Sequence, residues 1–333
     1  MKGILLINLG SPQNLDLQSV KTYLKEFLTD ELVIDIPKIF RKILVNNFIV
    51  PFRARNTLKA YETIWKKDGS PLIINTNYLT KKVQQRTEYP VEFAMRYQEP
   101  SIELSMKKLV DKGCSSLTIL PLYPHYSMST TLTTQRKVEE INNKKKLGLE
   151  LKFVSPFYNQ DQYISSLTSK IKPFLNYKID YLLFSYHGIP ERHILKTDPT
   201  GSHCLKHNNC CKVESKAKRF CYKAQVLETS RLCASSLELE ENKWGVSFQS
   251  RIGPGWLKPF SDIELQNLPQ KGIKNIAVIC PSFLVDNLET LEEIQIRGQE
   301  TFKNAGGENF YYIPCLNEDD HWVDFLINLL SEN

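Results

Sequence analysis

The sequence predicts an α/β protein of two similar doubly wound halves, each a parallel sheet flanked by helices, with a cleft between them. The first observation behind this is an internal echo. GILLINLGSP near the start is matched by YLLFSYHGIP from Tyr181, each a strand stopped by Gly-x-Pro, and GCSSLTILP (Gly113 to Pro121) is matched in the same order by GIKNIAVICP (Gly272 to Pro281). The second is that short apolar runs alternate with stretches of helical periodicity, the pattern of a Rossmann-like sheet wound by crossover helices. The third is length, since 333 residues suffice for two cores. The solvated break Asn142-Asn143-Lys144-Lys145-Lys146 sets the expected halves at 1–146 and 147–333, with a cysteine-rich insert at 200–222 and a last helix expected to pack back on the first half.

Taken in order, Gly3 to Leu9 reads as a buried strand turned by Gly10-Ser11-Pro12, and Leu17 to Leu28 as a helix with Leu17, Val20, Leu24, Phe27 and Leu28 on one face. Leu32 to Arg55 follows, and from Pro37 to Val50 it sets Ile39, Phe40, Ile43, Leu44, Phe48 and Ile49 among Lys38, Arg41 and Lys42. This reads as an amphipathic helix packed on the core; the alternative is a greasy lip resting on a membrane or an apolar ligand. Arg53 and Arg55 come next, then Tyr61 and the turn Asp68-Gly69-Ser70-Pro71. Val91 to Met95 is a strand with Arg96 and Tyr97 at its end, and arginines near element ends suit a carboxylate-bearing ligand. Leu117 to Leu120 is a strand leading into PLYPHYSMSTT, residues 121 to 131, a structured loop expected to line a pocket.

Composition narrows the function. Hydrophobic residues at 41% and charged residues at 24% are ordinary for a soluble globular protein. A net charge of +6, from 43 basic and 37 acidic residues, is a small imbalance, and without a dense basic block nucleic acid is not an expected partner. The apolar start breaks at Asn8 and Gly10 with no cleavage site, so it is read as a strand and the protein as cytoplasmic. No stretch approaches the roughly 20 apolar residues of a membrane span, so membrane contact would be peripheral. Eight cysteines in such a compartment are expected reduced, with Cys114, Cys233, Cys280 and Cys315 as core residues.

The chemistry gathers at two stretches. YLLFSYHGIPER, Tyr181 to Arg192, places His187 where a buried strand breaks into a loop, and strand carboxyl ends are where open α/β sheets bind ligands. A core or turn-capping histidine is the other reading of this stretch. After the strand ending at Cys280, DNLETLEEIQIRGQETF starts a helix at Asp286, with Leu288, Leu291 and Ile294 as its buried stripe. Asp286, Glu289 and Glu293 form an acidic stripe beside it, with Glu292 adjoining. Asp286 and Glu289 suit a helix dipole, whereas a row of carboxylates suits the movement of protons or divalent cations. A third cluster, HCLKHNNCCKVESKAKRFC, crowds Cys204, Cys210, Cys211 and Cys221, a donor set for a tetrahedral or iron–sulfur site in which His203 or His207 could replace a ligand.

Together SYHGIPER, PSFLVDNLETLEEI, LPLYPHYSMSTT, FQSRIGPGWLKPFSD and the N-terminal NLGSP, colinear from residue 3 to about residue 316, resemble the ferrochelatases. The resemblance implies a lyase of heme biosynthesis that inserts ferrous iron, its substrate, into protoporphyrin IX. By similarity His187 is a proton acceptor or metal-side ligand and Glu289 the glutamate across the cleft, with Asp286 and Glu293 behind it on the iron or proton path. Arg53, Ser70 and Arg96 match propionate-holding positions, and Tyr61, Tyr123 and Trp256 match pocket aromatics. Leu32 to Val50 corresponds to an apolar pocket mouth that in some members sits against a membrane. Some bacterial members carry four internal cysteines that ligate a [2Fe-2S] cluster, which the resemblance assigns to Cys204, Cys210, Cys211 and Cys221. Asn287 stands where some relatives have histidine, and Arg297 interrupts the acidic stripe. The alternatives are a chelatase for coproporphyrin or sirohydrochlorin, and a noncatalytic iron–sulfur or tetrapyrrole-binding sensor on the same scaffold.

Overall fold

A computed structural model describes residues 1–332. The chain forms two compact units, one of Met1–Tyr123, Met128–Ser155 and the residues from Asn317 onward, the other of Pro124–Ser127 and Pro156–Leu316. Each holds one four-stranded parallel sheet. In the first unit the strands are β1 (Lys2–Gly10), β2 (Val91–Tyr97), β3 (Ser116–Pro121) and β4 (Glu150–Phe153), in the order β2-β1-β3-β4. In the second they are β5 (Tyr181–His187), β6 (Trp244–Gln249), β7 (Asn275–Ile279) and β8 (Asn309–Ile313), in the order β6-β5-β7-β8. The two orders are the same permutation, and the echoed sequence segments are the two central strands of each sheet.

Each sheet is buried under helices as parallel sheets require. Leu5, Ile7, Leu117 and Ile119 alternate along β1 and β3 onto one face and pack with Met106, Leu109 and Val138 from covering helices. Leu183, Ile276 and Val278 do the same in the second unit with Leu265, Ile294 and Phe302. β1 runs one residue further at each end than expected, because Gly10 still pairs with Tyr97. A Cβ on Gly10 would lie 2.0 Å from the Tyr97 carbonyl oxygen, and its φ of +122° also requires glycine.

Two expectations are corrected. The lysine run 144–146 lies at the end of a helix inside the first unit, because β4 beyond it is needed to pair with β3. The stretch from Lys38 to Glu62, helical throughout with a π segment at Leu44–Ile49, also turns the other way from a core-packed amphipathic helix. Ile39, Phe40, Ile43, Leu44, Phe48 and Phe52 face outward, Ile39 being 72% and Phe52 76% exposed, while Arg41 is buried. Arg41 faces inward because its Nη1 donates to the Ile34 and Ile36 carbonyls at 3.1 and 2.9 Å, closing the preceding loop.

Candidate active site

In the second unit β5 ends at His187 beside Gln249, the last residue of β6. β7 stops earlier, its Ile279 opposite Phe184, so beyond that point the β7 side of β5 is open to other partners. The His187 N–H donates to Ser282 Oγ at 3.1 Å and its carbonyl accepts from the Tyr222 hydroxyl at 3.0 Å. The half-buried ring lies with Nδ1 2.6 Å from the Gly188 carbonyl oxygen, so Nδ1 carries the proton and Nε2 the lone pair. Burial lowers the imidazole pKa, and the Glu293 carboxylate and the Gly188 bond only partly oppose it. At neutral pH the ring is therefore a neutral base.

Gly188 is a residue without a Cβ for a local reason. Its N–H donates to the Gln249 carbonyl at 2.8 Å, and an added Cβ would sit 2.7 Å from that oxygen and 3.3 Å from the Trp256 ring. Trp256 thereby lies against the His187 loop, where it also bridges Pro190.

The acidic helix is not the regular α-helix that its period predicts. Glu289–Gly298 is a π-helix, a wider turn that is rare and concentrated at functional sites. Of the expected buried stripe only Ile294 is fully buried, whereas Leu288 and Leu291 are half-buried. Asn287, where a histidine was a point of comparison, caps this helix: its Oδ1 accepts the Glu289 and Thr290 amides at 2.9 and 3.2 Å. The four acids have separate surroundings. Glu293 Oε1 accepts the Ser250 amide at 2.7 Å and Oε2 the Ser250 hydroxyl. Ser250 adopts φ +63°, a left-handed conformation costing about 1–3 kcal/mol, and so aims both donors at one carboxylate. Glu289 is half-buried, and its carbonyl accepts from Gln249 Nε2 at 2.8 Å. Asp286 is buried, with Oδ1 receiving the Tyr312 and Thr290 hydroxyls and the Cys315 amide. Glu292 bonds Arg297 Nε at 2.7 Å, so Arg297 is tied to Glu292.

The residues that the resemblance matches to propionate-holding positions, with Tyr61 and Tyr123, lie in the first unit. Arg53 is exposed on Val50–Glu62, one residue after Phe52. Tyr61 is buried edge-on to Trp65, and Ser70 is buried and accepts the Ser11 hydroxyl at 2.7 Å. Arg96 is committed internally, its Nη2 2.5 Å from Asp30 Oδ2 and its Nε 3.0 Å from Thr133 Oγ1. Tyr123 follows β3, its phenol pKa raised by burial against the opposing Arg96 charge. Gln249, Ser250, Ser282 and Tyr222 were not singled out from the sequence. Gln249 and Ser250 carry the signal that marked His187, a polar residue where a buried strand ends; Ser282 and Tyr222 carry none.

Among the cysteines, Cys204, Cys210 and Cys221 are buried and Cys211 is partly so. The Cys221 thiol is in hydrogen-bond contact with those of Cys204 and Cys211, and the Cys210 and Cys211 sulfurs lie 3.9 Å apart. Burial pushes the Cys204 thiol up to about 11. The loop is pinned by Asp198, whose Oδ2 accepts the His203 and Cys204 amides at 2.9 and 2.8 Å. His203 turns its Nε2 to the Cys210 carbonyl at 2.9 Å, away from a ligand role. Among the described residues no group of three or more His, Cys, Asp or Glu side chains is arranged to hold a metal ion. The donor chemistry of the thiols fits an iron–sulfur cluster; their arrangement is not a closed ligand set.

Comparison with known proteins bears on the fold and the family. The fold is similar to that of the sirohydrochlorin chelatase SirB from Bacillus subtilis subspecies spizizenii in complex with cobalt, at a TM-score of 0.57 and 10% identity over 99% of this chain and 94% of that one. At so low an identity this likeness concerns the fold alone. The sequence is 44% identical to the ferrochelatase of Pseudomonas fluorescens (strain Pf0-1) over 98% of this chain and 96% of that protein. It is 46% identical to that of Opitutus terrae, again over 98% and 96%. With the Ferrochelatase family model also matching residues 1–333, the chain belongs to the ferrochelatase family.

Proposed function

We propose that this chain, a porphyrin metal chelatase of heme biosynthesis, inserts ferrous iron into protoporphyrin IX with His187 as the acceptor of pyrrole protons. The reaction joins Fe2+ to the macrocycle and releases both pyrrole N–H protons, and no oxidation state changes. The observation that carries the reading is His187 itself: a neutral imidazole with Nε2 as the open base and the Glu293 carboxylate near enough to favour the imidazolium that forms. Glu289, one turn away on the same helix, continues the acidic path, and Asp286 supports it from behind. Trp256 offers the macrocycle a π face. Arg53 is the exposed cation for a propionate, with Ser70, Tyr61 and Tyr123 lining the same unit. Arg96 takes this role only by giving up Asp30.

The outward apolar face of residues 39 to 52 favours a macrocycle with few carboxylates and a cytoplasmic protein in peripheral contact with a membrane. Among the described residues no helix is long and apolar enough to cross one. Cys204, Cys210, Cys211 and Cys221 would hold a [2Fe-2S] cluster, which when bound ties the segment after Asp198 into one unit. Its test is iron and acid-labile sulfide analysis with visible absorbance on anaerobically purified protein, beside Cys210→Ser; stoichiometric sulfide in the parent and loss in the variant are expected, and its absence from the parent refutes the cluster.

The test of the reaction is anaerobic. Purified protein is given ferrous iron and protoporphyrin while loss of the free-base spectrum is followed, beside His187→Ala and parallel reactions with coproporphyrin and sirohydrochlorin. Insertion into protoporphyrin by the parent and none by the variant is expected. Tight porphyrin binding without insertion by either protein would leave the sensor reading; preference for another tetrapyrrole would change the substrate.

A further inference from the structure

The backbone of His187 is closed in a ring of hydrogen bonds. Its N–H donates to Ser282 Oγ at 3.1 Å, Ser282 is hydrogen-bonded to the Tyr222 hydroxyl, and that hydroxyl donates to the His187 carbonyl at 3.0 Å. The directions are consistent: the His187 amide gives to the serine, the serine hydroxyl to the tyrosine, and the tyrosine hydroxyl back to the His187 carbonyl. The cycle exists because β7 has ended at Ile279 and no ladder partner remains for these groups. It fixes the peptide planes on both sides of the His187 Cα, and with them the Cα–Cβ direction; the Gly188 carbonyl on Nδ1 then fixes the ring. Tyr222 is buried, starts the helix Tyr222–Ser236, and packs edge-on against His125 at 5.9 Å, so its hydroxyl is aimed by a rigid element.

We propose that Tyr222, acting with Ser282, is a positioning residue for metal insertion that seats the His187 imidazole without touching porphyrin or iron. The proposal rests on His187 as the proton acceptor. Removing the hydroxyl leaves a half-buried carbonyl without its donor and lets the strand end shift, which moves Nε2 relative to the macrocycle while leaving the macrocycle's own contacts in place.

The experiment compares the parent, Tyr222→Phe, Ser282→Ala, the double variant and His187→Ala. It measures kcat for ferrous iron insertion, KM and fluorescence-measured Kd for protoporphyrin, and the ring resonances of His187 in 15N-histidine-labelled protein. Tyr222→Phe is expected to lower kcat about fivefold to tenfold with KM and Kd unchanged, and to shift the His187 resonances. Because both single changes break one cycle, the double variant should lose less than the product of the two losses. Wild-type kcat and unshifted His187 resonances in both single variants would overturn the proposal, as would a loss appearing in KM and Kd alone. Should Tyr222→Phe lose its fold by circular dichroism, Ser282→Ala decides by the same readouts. Full insertion by His187→Ala would instead remove the base reading, whatever the Tyr222 result.

Discussion

Replacing Gly188 by alanine tests whether the His187 loop is set by close backbone approach. The new Cβ would fall 2.7 Å from the Gln249 carbonyl oxygen and 3.3 Å from the Trp256 ring. The tryptophan could give by a few tenths of an ångström, but the carbonyl cannot swing aside while it holds the Gly188 N–H at 2.8 Å. Relief therefore requires moving β6 away from β5 at its end, breaking that bond, or both. Overpacking a fitted site costs about 1–3 kcal/mol and losing one buried hydrogen bond about 0.5–1.5 kcal/mol, so a loss of about 2–4 kcal/mol is expected. With a urea slope of about 3 kcal/mol per molar, the unfolding midpoint should fall by about 1 M. The Gly188 carbonyl also holds His187 Nδ1, so its displacement should slow insertion by about tenfold or more. Urea unfolding and the anaerobic insertion assay on one preparation measure both effects. Wild-type values in both would refute the claim that this contact sets the loop.

Asp30→Asn should destabilise the first unit by about 3–5 kcal/mol in denaturant unfolding, since Arg96 and Asp30 form an ion pair with side chains only 12% and 7% exposed, and the change strands the guanidinium. Phe40→Glu with Phe52→Glu should abolish cosedimentation with anionic vesicles; retained cosedimentation would remove the membrane role of that face. Asp198 is partly desolvated, which raises its pKa, but the amides of Cys204, Thr200 and His203 and the Thr200 hydroxyl outweigh this and hold the carboxyl well below the usual range. A depressed folded pKa means that its contribution is present above the ordinary value near 3.9 and fades as pH falls toward the folded one. At neutral pH the Cys204 amide should therefore exchange slowly with deuterium in the parent and faster in Asp198→Asn, a difference that narrows on acidification.

The central strands were legible because parallel strands buried on both faces must be short apolar runs, and the chain uses nearly the same punctuation, a Gly-x-Pro where β1 and β5 end, in both halves. His187 was legible for the same reason, as a polar side chain where such a run stops. The acidic helix was legible in position but not in geometry: an α-period reading put Leu288 and Leu291 in the core, and nothing in ETLEEIQIRG announces a wider turn. Arg41 inverted the lip by reaching two carbonyls in a preceding loop, an interaction no hydrophobic pattern encodes. Tyr222 and Ser282 stayed hidden because their role depends on where β7 stops relative to β5, which is a matter of register between strands far apart in sequence.

The helix Asp320–Glu332 packs against Pro71–Gln84 in the first unit, with Trp322, Val323 and Leu326 wholly buried and Lys2 Nζ donating to the Leu330 carbonyl at 2.8 Å. The first unit is thus closed by a segment that follows the whole of the second unit in the chain. All of the second unit must be synthesised in between, a delay on the order of ten seconds or more at about 5–20 residues per second. Through that interval β1 to β4 hold an apolar surface open to solvent while the second unit can already complete its sheet. The order of folding on the ribosome therefore runs against the order of the sequence, and the newly made first unit is the stage at which a nascent-chain chaperone has something to cover.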